Sequence, residues 1–146
     1  MNRLLSAAFL SIGLSFGPAV AGTPAPEGAE VYFINLSDGD TVSSPVTINF
    51  GLKGMGVAPA GTEKDNTGHH HILINRASFG EAESDTEAKE TGLPADDNHK
   101  HFGGGQTEVT LDLPAGTHTL QLVLGDLYHV PHTPPVMTEV ITITVE

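Results

Sequence analysis

The chain lacks cysteine and tryptophan, and its 6 lysines and arginines are outnumbered by 18 aspartates and glutamates. Without cysteine it can form no disulfide bond and carry out no thiolate chemistry, so packing alone must hold the fold. The formal net charge of −12 repels nucleic acid and anionic lipid and attracts cations. We therefore expect no nucleic-acid partner, although such acidity also serves simply to keep an exported protein soluble.

Long apolar runs are scarce, and the one near the start of the chain is short. Arg3 is followed by the uncharged, mostly apolar stretch 4–16, and Ala19-Val20-Ala21 has the small-x-small pattern of a signal peptidase site. This stretch falls short of the roughly 20 residues that a membrane-spanning helix needs. The sequence predicts that residues 1–21 are a signal peptide, that the mature chain is periplasmic or secreted, and that it does not insert into the membrane.

Enzymatic signatures are also missing. There is no G-x-S-x-G nucleophile motif, no H-E-x-x-H zinc motif and no phosphate-binding loop. The sequence therefore points to no catalytic residue and favours a binding module over an enzyme. A Cu or Zn metalloenzyme with an unidentified substrate stays open as an alternative.

Short segments in which apolar and polar residues alternate dominate the mature chain, and turns rich in glycine and proline separate them. A period of two is typical of strands with one buried face. The predicted strands are 30–36, 46–52, 70–75, 107–113, 118–125 and 136–145, with one more placed without definite bounds between 80 and 102. The acidic residues 76–98 are expected to form a loop that holds a short strand or a helical turn, and no segment shows convincing helical periodicity. We predict an all-β fold, an immunoglobulin-like antiparallel β-sandwich of about seven strands.

The predicted organisation is simple. After the signal peptide, the Pro/Gly/Ala-rich residues 22–29 are expected to form a flexible leader, and residues 30–146 to form one sandwich domain. The expected core is listed here: Ile48, Phe50, Ile72, Ile74, Leu111, Leu120, Leu122, Leu124, Ile141 and Ile143.

Histidine is the residue type in excess, with eight in the chain. Seven of them form three groups, which are 69–71, the pair 99 and 101, and the pair 129 and 132. Because successive antiparallel strands alternate in direction, these groups are predicted to meet at one end of the sandwich, in loops. His118 falls at the opposite end. His70 is in phase with Ile72 and Ile74, which favours a place in the core.

Clustered neutral imidazoles bind Cu, Zn, Ni and Fe at neutral pH. The predicted metal ligands are His69, His71, His99, His101, His129 and His132, with a copper or zinc ion as the bound cofactor. Protons should displace the ion as the pH falls through about 6, near the ordinary histidine pKa. The alternative is a non-catalytic interaction module whose histidines brace its loops and whose partner is an unidentified periplasmic protein or a glycan.

Three segments, GHHHILIN (68–75), PADDNHKHFGGGQTEVTLDLPAG (94–116) and HTLQLVLGDLYHVPHTPPV (118–136), resemble the signature of a family of secreted bacterial domains of unknown function. The resemblance spans about residues 30–146 and implies that all eight histidines belong to the family's hallmark. Lys100 departs from it, since an apolar residue is expected there. The resemblance implies no mechanism. A weaker analogy links the chain to small periplasmic copper-handling β-domains, but the missing cysteine disfavours blue-copper electron transfer.

Overall fold

The computed structural model describes residues 22–146, so the predicted signal peptide at 1–21 lies outside the described residues. Nine strands and one helix follow in chain order: β1 Glu30–Phe33, β2 Thr41–Val42, β3 Val46–Lys53, β4 Gly56–Val57, β5 Thr67–Ile74, α1 Glu83–Thr91, β6 His99–His101, β7 Glu108–Leu111, β8 Gly116–Gly125 and β9 Ile141–Val145. No helix in the described part of the chain is long and apolar enough to cross a membrane.

The strands form two sheets that face each other across a shared core. One sheet has the order β1-β3-β7, and the other has the order β2-β9-β8-β5-β4, with β6 also paired to β5. The orders β1-β3-β7 and β9-β8-β5 match strands A-B-E and G-F-C of an immunoglobulin domain. The all-β sandwich predicted from the alternation of residues is confirmed.

Three features differ from the predicted pattern. The two-residue strands β2 and β4 pair in parallel with β9 and β5, so the second sheet is mixed rather than antiparallel. Helix α1 lies within the acidic residues 76–98, where a loop with a short strand or a single helical turn was expected. Strand β9 begins at Ile141 rather than at 136, because the preceding residues make only an isolated bridge, between Met137 and Val123.

The core forms where the inward faces of both sheets meet. Eight of the ten predicted core residues are at most 4% exposed, and Leu111 and Ile141 are partly buried at its margin. Alternation along β5 sends His70, Ile72 and Ile74 into this core and His69, His71 and Leu73 to the outer face of the second sheet. A second, smaller cluster covers part of that outer face and consists of Leu73, Phe79, Ala88, Leu93 and Val123.

The start of the predicted leader, residues 22–29, contacts the rest of the domain. Ala25 donates its N–H to the carbonyl of Thr133 at 3.0 Å, and Thr133 donates to the carbonyl of Thr23 at 3.0 Å. Pro24 and Thr133 form a parallel bridge. These contacts fasten the N-terminal residues 23–25, called the N-terminal strap below, to the loop that ends at Thr133. That loop carries His129 and His132, two of the candidate ligands.

Candidate metal centre

Strand β5 places two of the three consecutive histidines on the outer face of its sheet. His69 and His71 are 1% and 0% exposed although they point away from the main core. His70 points the other way, and its ring packs on Phe50 with 5.2 Å between centroids. The run of three histidines thus separates by strand alternation into one core residue and two candidate ligands.

Three imidazole nitrogens converge on the outer face of the second sheet. His71 Nε2 lies 3.0 Å from His69 Nε2, and His69 Nε2 lies 3.0 Å from His129 Nδ1. The three candidate ligand atoms all lie within 4.8 Å of one another. We call His69, His71 and His129 the three-histidine group. A group of this kind could hold a metal ion.

His129 reaches the group because a tight turn holds it in a left-handed conformation with φ of 66°. Asp126, which is 1% exposed, accepts the backbone N–H groups of Tyr128 and Val130 at 2.8 and 3.0 Å. Leu93 donates its N–H to the carbonyl of His129 at 2.7 Å. A non-glycine residue at positive φ needs such support from its surroundings.

Glycine at position 125 leaves room for the imidazole of His71. Gly125 lies opposite His69 in the β5–β8 register. A Cβ built at this position would lie 2.8 Å from His71 Nε2 and 3.1 Å from its Cδ2. Any side chain here would therefore push one of the converging rings out of place.

Burial keeps His69 and His71 uncharged at neutral pH. Burial, then the neighbouring His129 and His101, lowers the pKa of His69 to about 4, while Asp126 acts in the opposite direction. Burial and the nearby His69 and His99 lower the pKa of His71 far below its usual value. Neutral rings carry the lone pairs that bind metal, and protons compete with a metal at lower pH than the value of about 6 expected from the sequence.

His101 lies beside the group at the protein surface. It pairs with His71 in the β5–β6 register. Its ring centroid is 4.7 Å from that of His129, 5.3 Å from that of His71 and 5.5 Å from that of His69. The structure thus brings four of the six predicted ligands together, three with converging nitrogens and one with an adjacent ring.

The structure leaves the other two predicted ligands out of this group. Arg76 donates to His99 Nδ1 at 3.1 Å. Because a guanidinium can only donate, the Nδ1 of His99 must accept, and the proton of the neutral ring lies on Nε2. His99 therefore has no free lone pair for a metal, although its ring lies 5.3 Å from that of His71.

His132 is held by the N-terminal strap. Its Nδ1 lies 2.9 Å from Thr23 Oγ1 and 3.2 Å from the carbonyl of Thr23. Its Nε2 lies against Gly68, where an added Cβ would be 2.8 Å away. His132 therefore fastens residues 22–25 to the domain instead of facing the three-histidine group.

The position of the centre also differs from the predicted one. His99 and His101 were expected in a loop at one end of the sandwich, but they lie on β6, side by side with β5. Register between paired strands, rather than a shared pole, brings His101 to His71. The centre consequently lies on the outer face of the second sheet, bordered by the turn at 126–130.

Sequence reasoning missed Arg76, Asp85, Thr23 and Gly125. Helix α1 carried usable signals, since Glu83 and Asp85 lie in its first turn, Lys89 lies in its last turn and Gly92 follows its end. Nothing in the sequence links Arg76 to His99 or Thr23 to His132, because these contacts depend on the tertiary fold.

The family model of DUF4399, described as a domain of unknown function, matches residues 48–146. No curated protein and no solved structure matches the chain. The matched span covers more than half of the chain and includes all eight histidines. This chain therefore belongs to the DUF4399 family.

Proposed function

We propose that the mature chain is a periplasmic metal-binding module that holds one Cu(II) or Zn(II) ion between His69, His71 and His129. The convergence of three imidazole nitrogens, from two segments 60 residues apart, carries the proposal. The net charge of −12 and the buried Asp126 near the group favour a cation there. Residues 1–21 support export, since they have the pattern of a signal peptide.

Two of the three nitrogen separations favour copper over zinc. Two metal–nitrogen bonds of about 2.0–2.1 Å that span a nitrogen separation of 3.0 Å enclose an angle of roughly 90–97°. A tetrahedral zinc site needs about 3.3–3.4 Å between its nitrogens. Right angles suit the tetragonal geometry of Cu(II), which also binds nitrogen ligands most tightly among the divalent first-row metals.

The competing role for these histidines is structural, in which the ring holds neighbouring segments together through hydrogen bonds. His118 is an example of this role. Asn75 Nδ2 lies 3.0 Å from His118 Nδ1, and the carbonyl of Pro114 lies 2.8 Å from its Nε2, so both ring nitrogens have partners. By contrast, the converging nitrogens of His69, His71 and His129 have only one another as partners. No carbonyl, carboxylate or hydroxyl group in residues 22–146 partners these three atoms, which favours metal binding over bracing.

Metal content tests the proposal directly. Protein made without a histidine tag is stripped with chelator, reloaded with Cu(II) or Zn(II), dialysed and analysed for bound metal. We expect about one ion per chain and a melting temperature that rises with free metal concentration. His69→Ala, His71→Ala and His129→Ala should each abolish tight binding. His118→Ala, the matched control outside the group, should retain it.

Two results would contradict the proposal. The first is a wild-type chain that takes up no metal above the level of a protein without clustered histidines. The second is uptake that His118→Ala removes as completely as His71→Ala. Either result would favour an interaction module with structural histidines.

A further inference from the structure

A fourth imidazole, that of His101, lies next to the three-histidine group. His101 approaches from β6, a different strand from β5 and from the turn that supplies His129. Its ring centroid lies nearer to His129, at 4.7 Å, than the rings of His69 and His129 lie to each other, at 4.8 Å. Distance alone therefore ranks His101 with the members of the group.

The four rings form a closed circuit. Its sides, taken in the order His71, His69, His129, His101 and back to His71, measure 4.8, 4.8, 4.7 and 5.3 Å between centroids. Its diagonals measure 6.0 Å from His71 to His129 and 5.5 Å from His69 to His101. In a flat square the diagonals are about 1.4 times the sides, and in a regular tetrahedron they are equal. The ring centroids therefore outline a puckered square. The nitrogens of His69, His71 and His129 lie within 4.8 Å of one another, and the ring of His101 must turn its Nε2 away from Gly103 to join them.

We infer that His101 is the fourth ligand of a four-imidazole Cu(II) site and the exchangeable one, through which the ion is taken up and released. This inference rests on the proposed metal-binding function and adds to it a transfer role. His101 closes the puckered square in the loaded protein and swings away when the ion is handed over.

Exposure distinguishes His101 from the other ligands. His69 and His71 are almost fully buried and His129 is partly buried, whereas His101 is exposed. The rings of His69 and His71 cannot turn without displacing neighbours, while an exposed side chain changes rotamer within picoseconds to nanoseconds. Among residues 22–146, no hydrogen bond to another residue holds the ring of His101.

Gly103 permits this freedom. The imidazole of His101 rests over the backbone of Gly103, and a Cβ at that position would collide with the ring. Glycine at 103 therefore leaves a shallow space into which the ring fits when its nitrogens are turned away from the group. The Gly-Gly-Gly run at 103–105 begins one residue after the end of β6, close enough to leave this space beside the ring of His101.

Electron paramagnetic resonance of the Cu(II)-loaded, tag-free protein counts the nitrogen ligands. We expect four nitrogens in the wild-type chain and three in His101→Ala, with added imidazole restoring the four-nitrogen spectrum. Even loss of a group that only supports a ligand costs on the order of 10–100-fold in metal affinity, so His101→Ala should weaken Cu(II) binding at least that much. Lys100→Ala, on the same strand and facing the other way, should leave affinity and spectrum unchanged.

Stopped-flow transfer of Cu(II) to excess EDTA tests the exchange role. We expect His101→Ala to release copper faster than the wild type, because the chelator finds one coordination position already open. A wild-type spectrum with three nitrogens would overturn the assignment of His101, and this result needs no variant to fold. Equal transfer rates in the wild type and His101→Ala would overturn the exchange role. Failure of the wild type to bind copper at all would instead remove the proposed function itself.

Discussion

Histidines of the same chain take four different roles here, and their neighbours decide which. His70 packs in the core against Phe50, and His118 has partners for both ring nitrogens. His99 and His132 are engaged by Arg76 and Thr23. Only in the remaining four does each ring centroid lie within 6.0 Å of the other three. Histidine count alone therefore overstates the number of ligands, and the position of each ring, together with the partners of its nitrogens, separates ligands from braces.

Gly125→Ala tests the centre without removing any histidine. The new methyl group would lie 2.8 Å from His71 Nε2, so the ring must move and the converging nitrogens must separate. We expect Cu(II) affinity to fall by on the order of 10–100-fold, as it does when the support of a ligand is lost. Isothermal titration calorimetry with tag-free protein measures the change.

Gly56→Ala is the matched control, because a Cβ there would meet its nearest neighbour at an ordinary 3.5 Å. Its copper affinity should equal that of the wild type. Wild-type affinity in Gly125→Ala would mean that His71 does not bind the ion through the nitrogen that faces Gly125.

Single residues also show the limit of prediction from sequence. The separation of His70 from His69 and His71 follows from strand alternation, so it was predictable. The exclusion of His99 and His132 was not, because their partners lie 23 and 109 positions away along the chain. No periodicity or local motif records a contact over such a distance, and only the folded structure reveals it.

At the scale of elements, register and a rigid turn build the centre. Strand β5 supplies two rings, β6 adds His101 through pairing with β5, and the turn at 126–130 adds His129. Helix α1 borders this region through Asp85, which accepts the N–H groups of Gly80 and Ala82 and pairs with Arg76 at 3.3 Å. Arg76 thus connects the helix to His99, beside the centre.

Arg76→Ala should loosen helix α1 and spare the sandwich. Asp85 is 3% exposed, so loss of Arg76 leaves a buried carboxylate without its cation, which typically costs about 3–5 kcal/mol. We expect faster amide hydrogen exchange across 83–91, measured by mass spectrometry, with little change in β8. Lys100→Ala removes an exposed ion pair with Asp97 and should change stability by at most about 1 kcal/mol. Unchanged exchange in α1 would show that other contacts hold the helix.

At the scale of the whole molecule, the period of two was sufficient to predict the sandwich and most of its core. Strand direction led to the prediction that three histidine groups meet at one pole, but register between β5 and β6 is what brings His101 to His71. The histidines meet on the outer face of the second sheet and not at the predicted end of the sandwich. This position depends on the pairing of β6 with β5, which the sequence of 99–101 does not specify. Within residues 76–98 no more than a short strand or a helical turn was predicted, because only Asp85 and Ala88 of α1 are buried and no apolar stripe marks the helix.

Stability of the metal-free protein should depend on pH through its buried histidines. Burial is the main cause that lowers the pKa of His69, His70 and His99 from 6.5 to about 4. Between these values the unfolded chain binds more protons than the folded chain, so the free energy of unfolding rises with pH. The contribution of these residues is complete above pH 6.5 and is lost as the pH falls toward 4. Each histidine contributes up to about 1.4 kcal/mol per pH unit.

His70→Phe isolates one of these titrations, because His70 packs beside Phe50 and lies outside the three-histidine group. The larger ring could cost stability through overpacking, but that cost should be the same at every pH. The slope with pH is therefore the informative quantity. Urea unfolding in the presence of chelator, repeated at intervals between about pH 7.5 and 4.5, gives the free energy of unfolding at each pH. The slope of this free energy against pH should be shallower in His70→Phe, by an amount that corresponds to at most one proton. Parallel pH profiles for the variant and the wild type would mean that His70 is already free to take up a proton in the folded protein.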